Sequence, residues 1–204
     1  MSLAFMITNI FSENIVLENE RALLRPLQEN DFENLLPFSL HEPDIWKYGF
    51  ITAAGEENLR NYIADTVKNR KEGKEYPFIV FDKQANAYAG STRFYDIQQE
   101  YLTTQLGYTW YGEKFQRTGL NRHCKLLLLS FVFEEWGMER LEFRAHSEND
   151  KSINAMKAIG CIEEGILRNH MPTVMGTRRS SIILSILKDE WFRRVKKKLI
   201  EKAY

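Results

Sequence analysis

A short polar stretch at 113–123 (EKFQRTGLNRH) separates two apolar runs. Within it, Gln116, Arg117, Thr118, Gly119, Leu120 and Asn121 fall at the head of an apolar helix, where the first backbone N–H groups have no partner inside the helix. Gly119 removes a Cβ where an anion would approach the backbone. The helix dipole favours negative charge there, and Arg117, Arg122 and Lys125 add positive side chains within about two turns. Such a turn suits a phosphate. A single glycine after a strand is commonplace and an arginine at a helix start is usually solvated, so the turn gains its weight only from its surroundings.

Those surroundings must bring the turn to the end of a sheet. Residues 21–27 (RALLRPL) predict a short strand, followed by a helix over 30–40 that Asp31 or Asn30 can cap. Residues 56–72 place Leu59, Ile63 and Val67 on one helical face, and Gly73 stops that helix. The β-rich runs 76–82 (YPFIVFD) and 88–97 (YAGSTRFYDI) predict a hairpin around Asn86, with a third strand over 104–111 (TQLGYTWY).

After Gly112 the period changes. Leu120, Cys124, Leu127, Leu128, Phe131 and Glu135 follow helical spacing in a run apolar on nearly every side. Beyond Gly137 come a strand at 140–146, a helix at 151–159 closed by Gly160, and strands from 161 to 167 and from 180 to 187. A last helix over 188–202 is rich in basic residues, with Trp191, Phe192, Val195 and Leu199 expected inward. This order predicts an α/β (α+β) sheet covered by helices.

Composition sets the outer limits. The 204 residues carry 28 basic and 28 acidic side chains, so no overall field draws the chain to nucleic acid or anionic lipid, and any polyanion must be met by a local site. Hydrophobic residues make up 44%, too many for a disordered chain. Cys124 and Cys161 lie in apolar periodic segments without metal-ligand spacing, which predicts buried, reduced thiols and a cytoplasmic location. The apolar run at 3–11 lacks a basic flank and a cleavage pattern, and reads as a packed arm or partly disordered leader. No segment approaches the roughly 20 apolar residues needed to cross a bilayer. The chain is expected to form one domain over 1–204: an arm at 1–18, a core at 19–187 and a basic helix at 188–204.

Three segments together carry a resemblance. Gln116-Arg117-Thr118-Gly119-Leu120-Asn121 is similar to the Q/R-x-x-G-x-G/A turn of the GNAT superfamily of N-acetyltransferases. Asn149-x-x-Ser152 followed by Lys157-Ala158-Ile159-Gly160-Cys161 is similar to its N-x-x-S…K-x-G-F segment, and Gly107-Tyr108-Thr109-Trp110 to the strand before the turn. The resemblance spans about 22–191 and is nearest to the ribosomal-protein (Rim-type) N-terminal acetyltransferase branch. Asn121 stands where the family has Gly or Ala, and Cys161 replaces an aromatic.

The resemblance implies a mixed, mostly antiparallel central sheet of six to seven strands flanked by helices, with a parallel pair, 106–110 against 144–146, splayed at the cofactor. It implies acetyl-CoA held by Tyr108, Thr109, Trp110, Gln116, Arg117, Thr118, Gly119, Leu120, Asn121, Arg122, Asn149 and Ser152. An amine would attack the thioester directly, with a backbone N–H near 108–110 meeting the oxyanion and Ser152 protonating the thiolate. Ser152 and Asn149 equally suit the start of the helix that follows.

The family's carboxylate base falls at Met171, so His170 becomes the candidate base, with Glu148, Asp96 and relayed water as alternatives. The acceptor is expected to meet Trp46, Arg93 and Tyr95, with Tyr48 and Tyr76, although aromatics at such spacings are more often core. A protein N-terminus is the favoured acceptor over a small amine. Two other readings are a regulatory module without catalysis and a ribosome or nucleic-acid contact by the basic residues at 193–198, a run more often the solvated face of a helix. No membrane partner is expected, and the chain would be a monomer or homodimer.

Overall fold

The computed structural model describes residues 10–173 and 176–204, so most of the apolar run at 3–11 lies outside the described residues. One twisted sheet of eight strands organises the chain, in the order β1-β2-β3-β4-β5-β6-β8-β7. The strands are β1 (Leu17–Glu18), β2 (Ala22–Pro26), β3 (Glu75–Asp82), β4 (Ala87–Gln98), β5 (Thr103–Tyr111), β6 (Arg140–His146), β7 (Ile162–Pro172) and β8 (Arg178–Leu187). All neighbours are antiparallel except β5 and β6. The mixed, mostly antiparallel sheet is the one expected. It exceeds six or seven strands because two residues, Leu17 and Glu18, add an edge ladder to β2 that is too short to leave a periodic signal.

Helices α1 (Phe32–His41) and α2 (Glu56–Lys71) pack against each other, α1 touching β4 and α2 touching β3. In α2 the spacing of Leu59, Ile63 and Val67 buries all three. Asp31 precedes α1, but its buried carboxylate caps no helical N–H. It accepts instead from Arg25 at 2.5 Å and from the Gln28 N–H at 2.9 Å, which ties β2 to the turn before the helix.

Helix α3 (Leu120–Ser130) runs on into a π-helical turn, Phe131–Glu135, and buries Leu120, Cys124, Leu128 and Phe131. Helix α4 (Asp150–Ala158) precedes β7, which extends five residues beyond the predicted strand and forms an edge.

The C-terminal segment comprises α5 (Lys188–Glu190), a π-helical turn and α6 (Lys196–Ala203). Trp191, Val195 and Leu199 point inward at spacings of four, as expected, whereas Phe192 is 56% exposed. One residue from Trp191 is a rotation of about 100°, which takes Phe192 off the buried stripe. Arg194 pairs with Glu190 and Lys196 with Glu134, so part of the basic run is neutralised locally. Cys124 and Cys161 are buried free thiols, their pKa values pushed up to about 12 chiefly by burial. Among the described residues no helix is long and apolar enough to cross a membrane, and no cluster could hold a metal ion.

Candidate active site

The site begins where β5 and β6 part. Their parallel ladder pairs only Thr103 with Arg140, Thr104 with Leu141 and Gln105 with Glu142. Past these residues the strands diverge, and a cleft of about 740 Å³ opens between them, lined by Leu106, Tyr108, Trp110, Phe143, Ala145 and His146 among others. On its other side β5 carries a bulge. Gly107 faces Arg93 and Trp110 faces Ser91, so Tyr108 and Thr109 together oppose Thr92. Tyr108 takes the left-handed φ of 49°, a conformation an aromatic residue adopts only where its surroundings impose it. The bulge leaves backbone groups of β5 out of the β4 ladder beside the cleft.

At one end of the cleft stands the turn. Gly119 is the N-cap of α3 at φ 93°, Arg117 is also left-handed at 61°, and space is open where a Gly119 Cβ would project. Among the described residues the backbone N–H groups of Arg117, Thr118, Gly119 and Asn121 have no hydrogen-bond partner. Successive free N–H groups alternating in backbone sense form an anion-binding nest, and the helix N-terminus adds its partial positive charge.

The Thr118 hydroxyl donates to the Phe115 carbonyl at 2.8 Å. Gln116 braces the turn by donating to the Tyr111 carbonyl at 2.8 Å and accepting from Lys151 on α4. Asn121 lies within the helix and needs no unusual backbone angle. Its buried Oδ1 has no partner among the described residues, and the residue lines the cleft beside Arg117, Arg122 and Lys202. These groups fit a phosphorylated ligand at this end.

Helix α4 supplies the middle of the wall. Asn149 caps it, its Oδ1 accepting the Ser152 N–H at 3.1 Å, so capping belongs to Asn149. The Ser152 hydroxyl makes no hydrogen bond among the described residues, and Ser152 and Asn149 both line the cleft. Opposite lies Lys125, only 5% exposed, its Nζ 3.4 Å from Thr109 Oγ1 and 5.6 Å from the centre of the Phe143 ring. It forms no salt bridge among the described residues, and the other residues carry no carboxylate. Burial draws its pKa down to about 8.

The other end is aromatic and basic. Trp46 packs edge-on against Trp110 at 5.2 Å, and Tyr95 against Tyr108 at 5.1 Å; all four line the cleft. Arg93 does not reach it. It is 3% exposed, pairs with Glu75 at 2.7 Å and lies 3.6 Å under the Tyr108 ring, so it supports the wall rather than forming it. Tyr76 is core, its hydroxyl donating to the Glu13 carbonyl at 2.6 Å. His170 lies on β7 outside the lining, with Nδ1 3.0 Å from Ser181 Oγ. Glu148 and Asp96 also stand outside it, and the Asp96 carboxylate accepts from Gln98 and Gln105.

Among the lining residues at this end, Arg179 was not singled out from the sequence, and His146 was read only as the end of the splayed segment 144–146. Arg179 is 3% exposed, and His146 ends β6. The His146 Nδ1 accepts the Glu148 N–H at 3.1 Å, so the neutral ring presents Nε2–H, a donor. Burial, helped by the Arg179 charge, lowers its pKa. Strand alternation across 140–146 could have turned His146 towards the same space as Arg144, but nothing local marks Arg179.

A parallel pair splayed around a cleft, with an anion nest at one end and an aromatic mouth at the other, defines an α/β transferase of the acyl-CoA-using kind. Residues 21–162 match the acetyltransferase (GNAT) domain. Over 176 residues the chain is 24% identical to the uncharacterized N-acetyltransferase p20 of Bacillus licheniformis, covering 86% of this chain and 97% of that protein. The fold superimposes on a GCN5-related N-acetyltransferase from Brucella melitensis with a TM-score of 0.86 at 24% identity, covering 94% of this chain and 86% of that one. It also matches the ribosomal-protein-S5-alanine acetyltransferase of Vibrio fischeri, with a TM-score of 0.68 at 18% identity over 87% of this chain and 99% of that one. The chain belongs to the GNAT acetyltransferase family. It is an acetyl-CoA-dependent N-acetyltransferase.

Proposed function

We propose that the chain transfers acetyl from acetyl-CoA to the α-amine of a peptide or protein N-terminus. The observation that carries this is the acceptor mouth. It is walled by Trp46, Tyr48, Phe50, Tyr95 and Tyr108, and the carboxylates of the whole cleft lining are two exposed ones, Asp44 and Glu113. Polyamines and aminoglycosides carry several positive charges and call for clustered acids, which this mouth lacks. A peptide end brings apolar and amide surface and a single amine.

Acid–base chemistry supports the same class. His146 presents an N–H rather than a lone pair, and His170 lies outside the cleft wall. A lysine amine, with a pKa near 10.4, would need a base to become nucleophilic. An α-amine, at about 7.7–8.0, is already partly neutral at pH 7 and can lose its proton to water in an open cleft.

When bound, acetyl-CoA supplies the thioester that the amine attacks. The free N–H groups of Arg117, Thr118, Gly119 and Asn121, with Arg122, Lys151 and Lys202, would hold its phosphates. Backbone N–H at the Tyr108–Thr109 bulge would face the carbonyl oxygen, and Ser152 Oγ would give its proton to the departing sulfur.

The test offers the purified protein a panel of peptides with free or blocked N-termini, together with spermidine and kanamycin, and locates the label from isotopic acetyl-CoA by mass spectrometry. Label is expected on peptide α-amines, with a rate that rises through about pH 8. Label confined to lysine side chains or polyamines would overturn the reading. A second reading draws on the Bacillus subtilis protein YdaF, named as a candidate ribosomal N-acetyltransferase and 28% identical over 102 residues, half of this chain and 55% of that one: the peptide end would then belong to a ribosomal protein.

A further inference from the structure

Most arginines that are wholly or partly buried in this molecule have carboxylates against them; the half-buried Arg70 instead donates to the Glu13 carbonyl, Asn14 and Tyr76. Arg21 meets Asp82 at 2.9 Å, Arg25 meets Asp31 at 2.5 Å, Arg93 meets Glu75 at 2.7 Å and Arg144 meets Glu142 at 2.6 Å. Arg179 differs. At 3% exposure it has no acidic partner among the described residues, and the remaining residues contain no Asp or Glu. A buried charge without a counter-charge is costly, and proteins keep one where a ligand completes it.

The guanidinium is held from behind. Nη1 donates to the Tyr48 carbonyl at 2.8 Å, Nε donates to Ser181 Oγ at 3.2 Å, and the group lies 4.2 Å from the centre of the Phe50 ring. Because Ser181 Oγ accepts from Arg179, its own proton is available to His170 Nδ1, 3.0 Å away. His170 is thereby a positioning residue for Arg179. Among the described residues Nη2 has no acceptor, so Nη2 and the remaining Nη1 proton are left to donate to a carboxylate. Arg179 lines the cleft with Tyr48, Phe50 and His146. The anion nest at 117–121 lies at the other end and shares none of these partners, so the donor's phosphates do not account for Arg179.

We propose that Arg179 selects the acceptor, and that the amine acetylated here carries a carboxylate close to it, seated on the open edge of the guanidinium. This rests on the α-amine reading and names its substrate class. The carboxylate is an acidic side chain in the first residues of a peptide. The same chemistry could come from a free amino acid, which the test separates.

Matched peptides with Asp or Glu, Asn or Gln, or Lys at the second and third positions are compared by kcat/KM, alongside free glutamate and glutamine. The acidic peptides are expected to exceed their amide counterparts by about 10-fold to 100-fold, the range of a charge-assisted pair. Arg179→Gln should bring that ratio to within about 2-fold of one while acetyl-CoA Kd stays unchanged. Arg179→Lys should keep part of the preference, and Arg179→Glu should shift it towards the lysine peptides. Glutamate outpacing the peptides would move the source of the carboxylate to a small acceptor.

Binding of the N-acetylated acidic peptide to the CoA complex provides a readout that needs no turnover. It should weaken about 10-fold in Arg179→Gln, and His170→Gln should weaken it less. Peptides acetylated regardless of charge would overturn this proposal and leave the α-amine reading standing. Arg179-dependent binding without acetylation of any peptide would do the reverse, and the absence of both would overturn both.

Discussion

The two ends of the cleft hold positive charge in opposite ways. At the turn, charge comes from unpartnered backbone N–H groups and from long side chains, Arg117 and Arg122, that stand exposed on contiguous sequence. At the mouth it comes from one buried guanidinium, Arg179, fixed by a carbonyl from the 43–51 segment and by a hydroxyl on its own strand. A flexible, exposed end can follow a ligand with several phosphates. A rigid, buried cation accepts an anion at one place, so it discriminates. On the reading proposed above, the exposed end takes the donor and the rigid end meets the acceptor. The rigid end therefore stands where selection is needed.

The largest expected effect breaks the turn. Gly119→Val forces a β-branched residue into φ 93° and places its methyl groups in the open space above the nest. Acetyl-CoA Kd measured by calorimetry should rise by roughly 100-fold or more, while peptide-product binding at the mouth holds. Loss of both together would mean that the two ends are not separable.

The next lies between the ends. Ser152→Ala should lower turnover by roughly 10-fold to 100-fold with less than about 2-fold change in acetyl-CoA Kd, since the hydroxyl would act on the leaving sulfur and Asn149 keeps the helix capped. Equal losses in turnover and Kd would assign the hydroxyl to binding alone.

The smallest concerns Lys125. Its folded pKa of about 8 lies below the ordinary 10.5, so the folded chain binds its proton less readily than the unfolded chain does. The buried charge therefore opposes folding fully below pH 8, and the penalty fades as pH rises towards 10.5. Lys125→Met should stabilise the ligand-free protein by about 1–3 kcal/mol at pH 7, and the gain should vanish near pH 10.5 in parallel denaturation curves. A gain that is constant with pH would show that packing, not charge, is what the substitution changes.

The turn was legible because its information is local: a strand, a glycine and a helix start within ten residues specify the backbone that makes the nest. The strand at 140–146 and the apolar helix from Leu120 were equally plain, since each carries its own period. The mouth was not. Arg93 reads like a pocket residue from its strand position, yet Glu75 and the Tyr108 ring draw it beneath the wall. Arg179 precedes the run SSIILSIL and reads as a polar flank. Its burial follows from Tyr48 and Phe50 folding over it from 131 and 129 residues away, contacts that no local pattern encodes. Lys125 reads as one more cation near the turn, and only the packing of α3 on Thr109 and Phe143 encloses it.

The short ladder between β5 and β6 has a mechanical consequence. Within the sheet, a ladder of three residue pairs joins a five-stranded half, β1 to β5, to a three-stranded one, β6, β8 and β7. An acyl-CoA arm lying along 106–110 would act as a missing rung between the halves. Loading the enzyme with its donor would then also stiffen the molecule across its own seam, and the slowest amide exchange would be expected there only in the loaded state.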